Sequence, residues 1–224
     1  MILKKFITHV SFDLDGTIVD SFTTIYKSTI SALNTLNINQ PLSEHEFKKR
    51  IGHHFIDIFR ELNIPLKDFD EFINIYKDFY FEYIGESILY ANVKEVLAFL
   101  NNKNISVSLL TTKNQQQADK NIDHFELRNY FSYVMGRRDG IENKPSAEPL
   151  LFICNELNVK PEETLMIGDT ELDIQCGKNA GARTCAVLYG YRSKEILAEE
   201  KPDYVISNIS ELKRIIENSN GKQN

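Results

Sequence analysis

FITHVSFDLDGT, residues 6–17, sets the frame in which the rest of the chain can be read. Phe6 to Leu14 is apolar and rich in β-formers and runs into Asp15-Gly16, as a short buried strand does when it stops at a loop. Short apolar runs recur at Ile105–Leu110, Tyr133–Met135, Thr164–Ile167, Thr184–Leu188 and Tyr204–Ile206, each separated from the next by a segment with helical spacing. Strands alternating with helices predict an α/β fold, a parallel sheet covered on both faces.

The alternation breaks once, between Leu14 and Ile105, where an inserted helical unit fits. Asp20 or Ser21 can cap a helix whose apolar face is Phe22, Ile25, Thr29, Leu33 and Leu36. Ser43 and Glu46 make a capping box ahead of Phe47, Ile51, Phe55, Ile58 and Leu62, predicting one helix that Pro65 stops. A third helix runs from Lys67 through Phe72, Ile75, Phe79 and Ile84, its aromatics read as helix-helix core. The expected division is a core of residues 1–19 and 89–224 with a helical insertion at 20–88. The polar tail from Asn218 onward is expected to fray.

With 224 residues, 42% of them hydrophobic and 26% charged, the chain can bury a sizeable core, which excludes disordered and collagen-like classes. Its net charge of −6 repels polyphosphate chains and argues against nucleic acid as a partner. No apolar run approaches the roughly 18 residues needed to span a bilayer, and residues 1–10 show no leader pattern, so no membrane partner and a cytoplasmic location are expected. Cys154, Cys176 and Cys185 form no C-x-x-C pair and are read as reduced, buried thiols.

Asp13 and Asp15 stand where the first strand ends, and in a parallel α/β sheet ligands bind in the crevice beyond the carboxyl ends of the strands. Asp and Gly are also ordinary turn formers, but the other strand ends carry reactive groups too. Ile105–Leu110 runs into Thr111-Thr112-Lys113, and Thr164–Ile167 into Gly168-Asp169-Thr170-Glu171-Leu172-Asp173. Between them Pro145 keeps Lys144 out of helical geometry, on a loop before the next helix.

In that order, Asp13-x-Asp15-Gly16-Thr17, Thr111-x-Lys113, Lys144-Pro145 and Gly168-Asp169-Thr170-x-x-Asp173 resemble the four motifs of the haloacid dehalogenase-like (HAD) hydrolase superfamily, most closely its phosphoglycolate-phosphatase-like branch. The likeness covers nearly the whole chain. The insertion resembles that family's small α-helical cap, and Gly177 to Ala182 one of its recurrent stretches. The resemblance implies a three-layer, Rossmann-like core carrying the cap.

It also implies roles. Asp13 would be the nucleophile, forming an aspartyl-phosphate that water hydrolyses, and Asp15 the general acid and then base. Mg²⁺ would be held by Asp13, the main-chain carbonyl of Asp15 and Asp169. Asp173, one helical turn beyond Asp169 and on the same face, would ligate through water or orient Asp169; the alternative is a carboxylate favoured by a helix N-terminus. Thr111 and the N–H of Thr112 would hold phosphoryl oxygens at the start of the following helix, and Lys144 would supply fixed positive charge. Lys113 is read as structural. In the insertion, Arg50 and His53, beside Lys48, Lys49 and His54, are candidates for specificity. With the cap closed, Arg50 would pair with an anion on the leaving part of the substrate, and Gly52 would let the helix bend. Two departures from the family pattern are Ala91-Asn92, where members often carry Pro-Gly, and Thr112, where Asn is common.

The expected activity is Mg²⁺-dependent hydrolysis of a small, soluble phosphomonoester. Within the superfamily a dehalogenase would lack Asp15, and a sugar phosphomutase would tend to carry Glu-Asp in place of Gly168-Asp169 and to lack Asp173. A phosphonate hydrolase would use a cap lysine, for which Lys48 and Lys49 stay open. An inactive binding or regulatory member would have lost a reacting group, and none is missing. No phosphate-loop motif of nucleotide binding occurs in the chain.

Overall fold

The computed structural model describes residues 6–221; residues 1–5 of the N-terminal stretch and 222–224 of the polar tail lie outside the described residues. The chain runs β1 (His9–Phe12), β2 (Val19–Asp20), α1 (Phe22–Thr35), α2 (Glu44–Lys48), α3 (Phe55–Glu61), α4 (Phe69–Glu82), β3 (Ile88–Leu89), α5 (Val93–Asn102), β4 (Ser106–Asn114), α6 (Gln115–His124), β5 (Tyr133–Arg137), α7 (Glu148–Glu156), β6 (Thr164–Gly168), α8 (Glu171–Asn179), β7 (Arg183–Val187), α9 (Lys194–Glu199), β8 (Tyr204–Ile206) and α10 (Leu212–Asn220). It divides into two compact units, one holding the chain up to Ile18 and from Leu89 onward, the other Val19–Ile88.

The first unit is an α/β Rossmann-like layer structure. Six strands pair in parallel in the order β5-β4-β1-β6-β7-β8. Val10 lies beside Val107 and Leu165, and Phe12 beside Leu109 and Ile167, all fully buried, as strands covered on both faces require. From β1 the chain moves outward through β4 and β5, then returns to β6 on the other side of β1. This reversal makes the carboxyl ends of β1 and β6 a topological switch point, where such sheets open a crevice. Asp13 and Asp169 immediately follow those two strands.

Two expectations for this unit need correcting. β4 does not stop at Leu110 but continues to Asn114, with a register shift against β5 between Leu110 and Asn114. The tail is ordered further than its polarity suggests, since α10 includes Asn218 to Asn220. There the Asn220 amide donates to the Ile7 carbonyl and accepts from the Ile7 N–H, each at 2.8 Å.

The second unit holds α1 to α4. The helix expected from Ser43 to Leu62 is two helices, because Gly52 at φ +103° cannot continue a right-handed helix. The Ser43 hydroxyl accepts from Glu46 N–H at 3.4 Å, while the Glu46 carboxylate turns to Lys49 and Arg50. In α4 the buried face is Phe72, Tyr76 and Tyr80 rather than Phe72, Ile75 and Phe79. Phe55, Phe59, Phe72 and Tyr76 form its aromatic centre, with four edge-on or tilted pairs at centroid distances of 4.7–5.6 Å.

Candidate active site

β1 delivers Asp13 to the mouth of the sheet, where its N–H donates to the Ile167 carbonyl on β6 at 2.9 Å. The chain then turns sharply. Gly16 has φ +83°, which glycine adopts without strain, and a Cβ there would stand 2.3 Å from a carboxylate oxygen of Asp169. Gly190 is under the same constraint from the other side, at 2.2 Å from Asp169 Cβ. Asp169 is thus clamped between two backbones. The Thr17 hydroxyl donates to its Oδ1 at 3.1 Å and the Tyr191 N–H to its Oδ2 at 2.8 Å.

Lys144 is buried, and its Nζ donates to Asp13 Oδ1 at 2.6 Å, Asp173 Oδ1 at 2.5 Å and the Leu110 carbonyl at 3.1 Å. The Lys144-Pro145 peptide is cis. Asp173 holds the lysine with one oxygen and caps α8 with the other, accepting from the Thr170 N–H at 3.0 Å and hydroxyl at 2.6 Å. The helix N-terminal role expected of Asp173 is therefore present, joined by a contact to Lys144 that the sequence did not suggest. Asp173 does not share a helical face with Asp169, because α8 begins only at Glu171.

Thr111 and Thr112 lie on β4 rather than at a helix start, since α6 begins at Gln115 with Asn114 as its cap. Thr111 is buried, and its hydroxyl accepts from the Lys113 N–H at 3.3 Å. Lys113, read from sequence as structural, reaches into the site, with its Nζ 3.0 Å from Asp15 Oδ2 and both side chains buried.

Three carboxylates in so little water cannot all ionise freely. Burial first, then Asp173, Asp169 and Asp15, hold the Asp13 carboxyl well above the usual range, against the pull of Lys144. Burial and Asp173 push Asp169 up to about 7, opposed by the Tyr191 N–H, Arg192 and Thr17. Burial disfavours the Lys144 charge, but Asp13 and Asp173 more than offset that and keep it above the ordinary lysine range. Asp13, Asp169 and Asp173 each offer one oxygen, and these oxygens lie within 4.8 Å of one another. Hard oxygen donors in an electrostatically frustrated, buried cluster fit a metal site for a hard cation.

A family model described as haloacid dehalogenase-like hydrolase matches residues 10–187. The chain belongs to the haloacid dehalogenase-like hydrolases. The pyrophosphatase PpaX of Bacillus mycoides is 34% identical over 216 residues, covering 96% of this chain and 99% of its own. Two solved structures each superpose with a TM-score of 0.82 at 28% identity, over 95% of this chain and 99% of theirs: a "predicted phosphoglycolate phosphatase" from Haemophilus somnus and a "predicted phosphatase" from Clostridium acetobutylicum. The protein is an enzyme of this HAD family, of its phosphatase type.

The structure brings Asp13, Asp15, Lys144, Asp169 and Asp173 together with Lys113. The Arg50 guanidinium donates to Glu46 at 2.9 Å and Glu61 at 2.8 Å, tying α2 to α3 inside its own unit. Lys49 pairs with Glu46, and the Lys48 ammonium sits 5.2 Å from the Phe22 ring centroid. Within this unit the charges of Lys49 and Arg50 are thus shared with Glu46 and Glu61. His53 is exposed, in the bridge it forms with Ile51. Thr17 stood in the first motif without a role, and Gly190 and Tyr191 escaped the sequence reading. Tyr191 acts through its backbone N–H, for which no side-chain signal exists.

Proposed function

We propose that this protein is a Mg²⁺-dependent phosphatase of small, soluble phosphate compounds that works through an aspartyl-phosphate on Asp13. The observation that carries the reading is the single buried Lys144 ammonium bridging Asp13 and Asp173 beside Asp169. Mg²⁺ held by Asp13, Asp169, the Asp15 carbonyl and, directly or through water, Asp173 would lower the repulsion between a phosphate dianion and a carboxylate.

Asp13 attacks phosphorus through one carboxylate oxygen while Lys144 fixes the plane of the group through Oδ1. As the bond from phosphorus to the leaving oxygen breaks, Asp15 gives that oxygen a proton. Asp15, now a carboxylate, takes a proton from the water that attacks the aspartyl-phosphate. Phosphate leaves and both aspartates return to their starting forms. Thr111 and the Thr112 N–H, on β4, would accompany the transferred phosphoryl oxygens.

Gly168 speaks against the phosphomutase alternative. A Cβ there would lie 2.1 Å from Asp173 Cγ, so a glutamate at 168 and an aspartate at 173 exclude one another. The phosphonate hydrolase alternative needs a desolvated, neutral lysine, whereas the Lys49 side chain is 50% exposed and paired. Names of relatives put pyrophosphate and phosphoglycolate at the head of a substrate panel, with an aryl phosphate as generic probe. Phosphate release should require Mg²⁺, stop in excess EDTA, and fall by more than about a thousandfold in Asp13→Asn. Turnover that survives either treatment rejects the mechanism.

A further inference from the structure

Lysine is an expensive residue to bury, because its ammonium loses hydration that one ion pair only partly returns. Lys113 is nonetheless only 9% exposed, and its Nζ meets Asp15 Oδ2 at 3.0 Å, where the two side chains are 8% and 11% exposed. Its backbone is equally constrained. The Lys113 N–H donates to the Thr111 hydroxyl at 3.3 Å, and Asn114, the next residue, caps α6 by accepting from the Gln117 N–H at 2.9 Å. The Asp15 end is set by the Gly16 turn, at φ +83°, where a Cβ would stand 2.3 Å from an Asp169 oxygen. The end of β4 and the Gly16 turn thus present the ammonium to Oδ2 of the carboxyl group that the proposed reaction uses for proton transfer.

We propose that Lys113 is a positioning residue that fixes the orientation of the Asp15 carboxyl group for proton transfer, an inference that rests on the phosphatase reading above. An ammonium has only donors, so it can anchor the carboxyl group through Oδ2 without competing for the proton that group transfers. With Oδ2 held by Lys113, the side chain keeps one rotamer. In that rotamer Asp15 gives a proton to the leaving oxygen and later takes one from the hydrolytic water. Without Lys113 the side chain samples other rotamers, so proton delivery slows while attack by Asp13 does not.

The reaction itself supplies the test, because an alkoxide leaving group needs a proton and a nitrophenolate does not. General acid catalysis is worth roughly 10²–10⁴-fold, so losing its alignment should cost about tenfold to a hundredfold on an alkyl phosphate. Turnover of glycerol phosphate and of p-nitrophenyl phosphate is measured on the same preparations of wild type, Lys113→Met, Lys113→Arg and Asp15→Asn. The ratio of the two rates is unaffected by any loss of folded protein. We expect Lys113→Met to lower the alkyl-to-aryl ratio by about tenfold or more, in the direction of Asp15→Asn, and Lys113→Arg to restore part of it. An unchanged ratio in Lys113→Met overturns the proposal alone. A wild type that releases phosphate in Mg²⁺ from neither ester, nor from pyrophosphate or phosphoglycolate, overturns the phosphatase reading and this proposal with it, and one that hydrolyses those two but not glycerol phosphate overturns this proposal alone.

Discussion

His9 shows how much a single residue on β1 is asked to do. It is completely buried in the middle of the sheet, with Nδ1 3.0 Å from the Thr164 hydroxyl and Nε2 2.9 Å from the Ser108 hydroxyl. A neutral imidazole satisfies both by donating from one nitrogen and accepting at the other, whereas a charged ring would have lost its hydration to burial. Burial accordingly lowers its pKa from 6.5 to about 4. In the unfolded chain the ring takes up a proton below 6.5 that the folded protein refuses until about 4. The His9 contribution to stability is therefore full above 6.5, falls as the pH drops through that window, and levels off below it, a loss of about 3 kcal/mol. Urea unfolding of wild type and His9→Gln at a series of pH values should show this acid slope only in wild type. Parallel slopes would mean that His9 is not the group responsible. From sequence His9 was simply one more residue of an apolar run, because burial of a polar side chain depends on what neighbouring strands place beside it.

Elements were legible where one signal dominated and misread where two competed. The short apolar runs placed all six strands of the main sheet, since inner strands buried on both faces read as continuous apolar runs and even the edge strands β5 and β8 keep short ones. The chemistry at their ends was legible for a related reason: Asp13, Lys144 and Asp169 stand at strand ends or beside a proline, positions that topology fixes. Lys113 was not, because a lysine following a strand looks the same whether its ammonium meets water or Asp15. In the insertion, Phe47, Ile51, Phe55 and Ile58 keep helical spacing straight across Gly52, so periodicity conceals a break that the backbone imposes. In α4 nearly every turn offers aromatic or aliphatic groups on two adjacent faces, and only tertiary contact selects Phe72, Tyr76 and Tyr80. Phe72 touches Phe55, Phe59 and Tyr76 at 4.8–5.9 Å between centroids and is fully buried. Phe72→Ala should cost about 3–5 kcal/mol in the stability of the inserted unit, through lost transfer energy and the cavity left behind. Phe72→Leu, which refills much of that volume, should cost less than half as much. Chemical unfolding followed by tyrosine fluorescence separates the two, and equal small losses would show the aromatic centre to be loosely packed.

The whole molecule carries its excess of negative charge inside as well as outside. Its net charge of −6 is spread over 224 residues, yet Asp13, Asp169 and Asp173 converge within one crevice against a single ammonium in contact with them, an excess of two negative charges when all are ionised. A fold that concentrates like charges at its switch point gives up stability there, and a ligand that binds only the folded form returns it. A divalent cation balances that excess, and oxygen donors select a hard one. Mg²⁺ at about one hundred times its dissociation constant should stabilise the protein by about 2.7 kcal/mol, which for a chain of this size raises the thermal midpoint by about 5–10 °C. EDTA should reverse the shift. In Asp169→Ala the cluster loses a donor clamped by Thr17 and Tyr191, so the same Mg²⁺ should leave the midpoint within about 1 °C of its metal-free value. Calorimetric scans of both proteins, with and without Mg²⁺, read this without any turnover. A wild-type midpoint indifferent to Mg²⁺, or an Asp169→Ala protein that responds as fully as wild type, would remove the metal from this crevice.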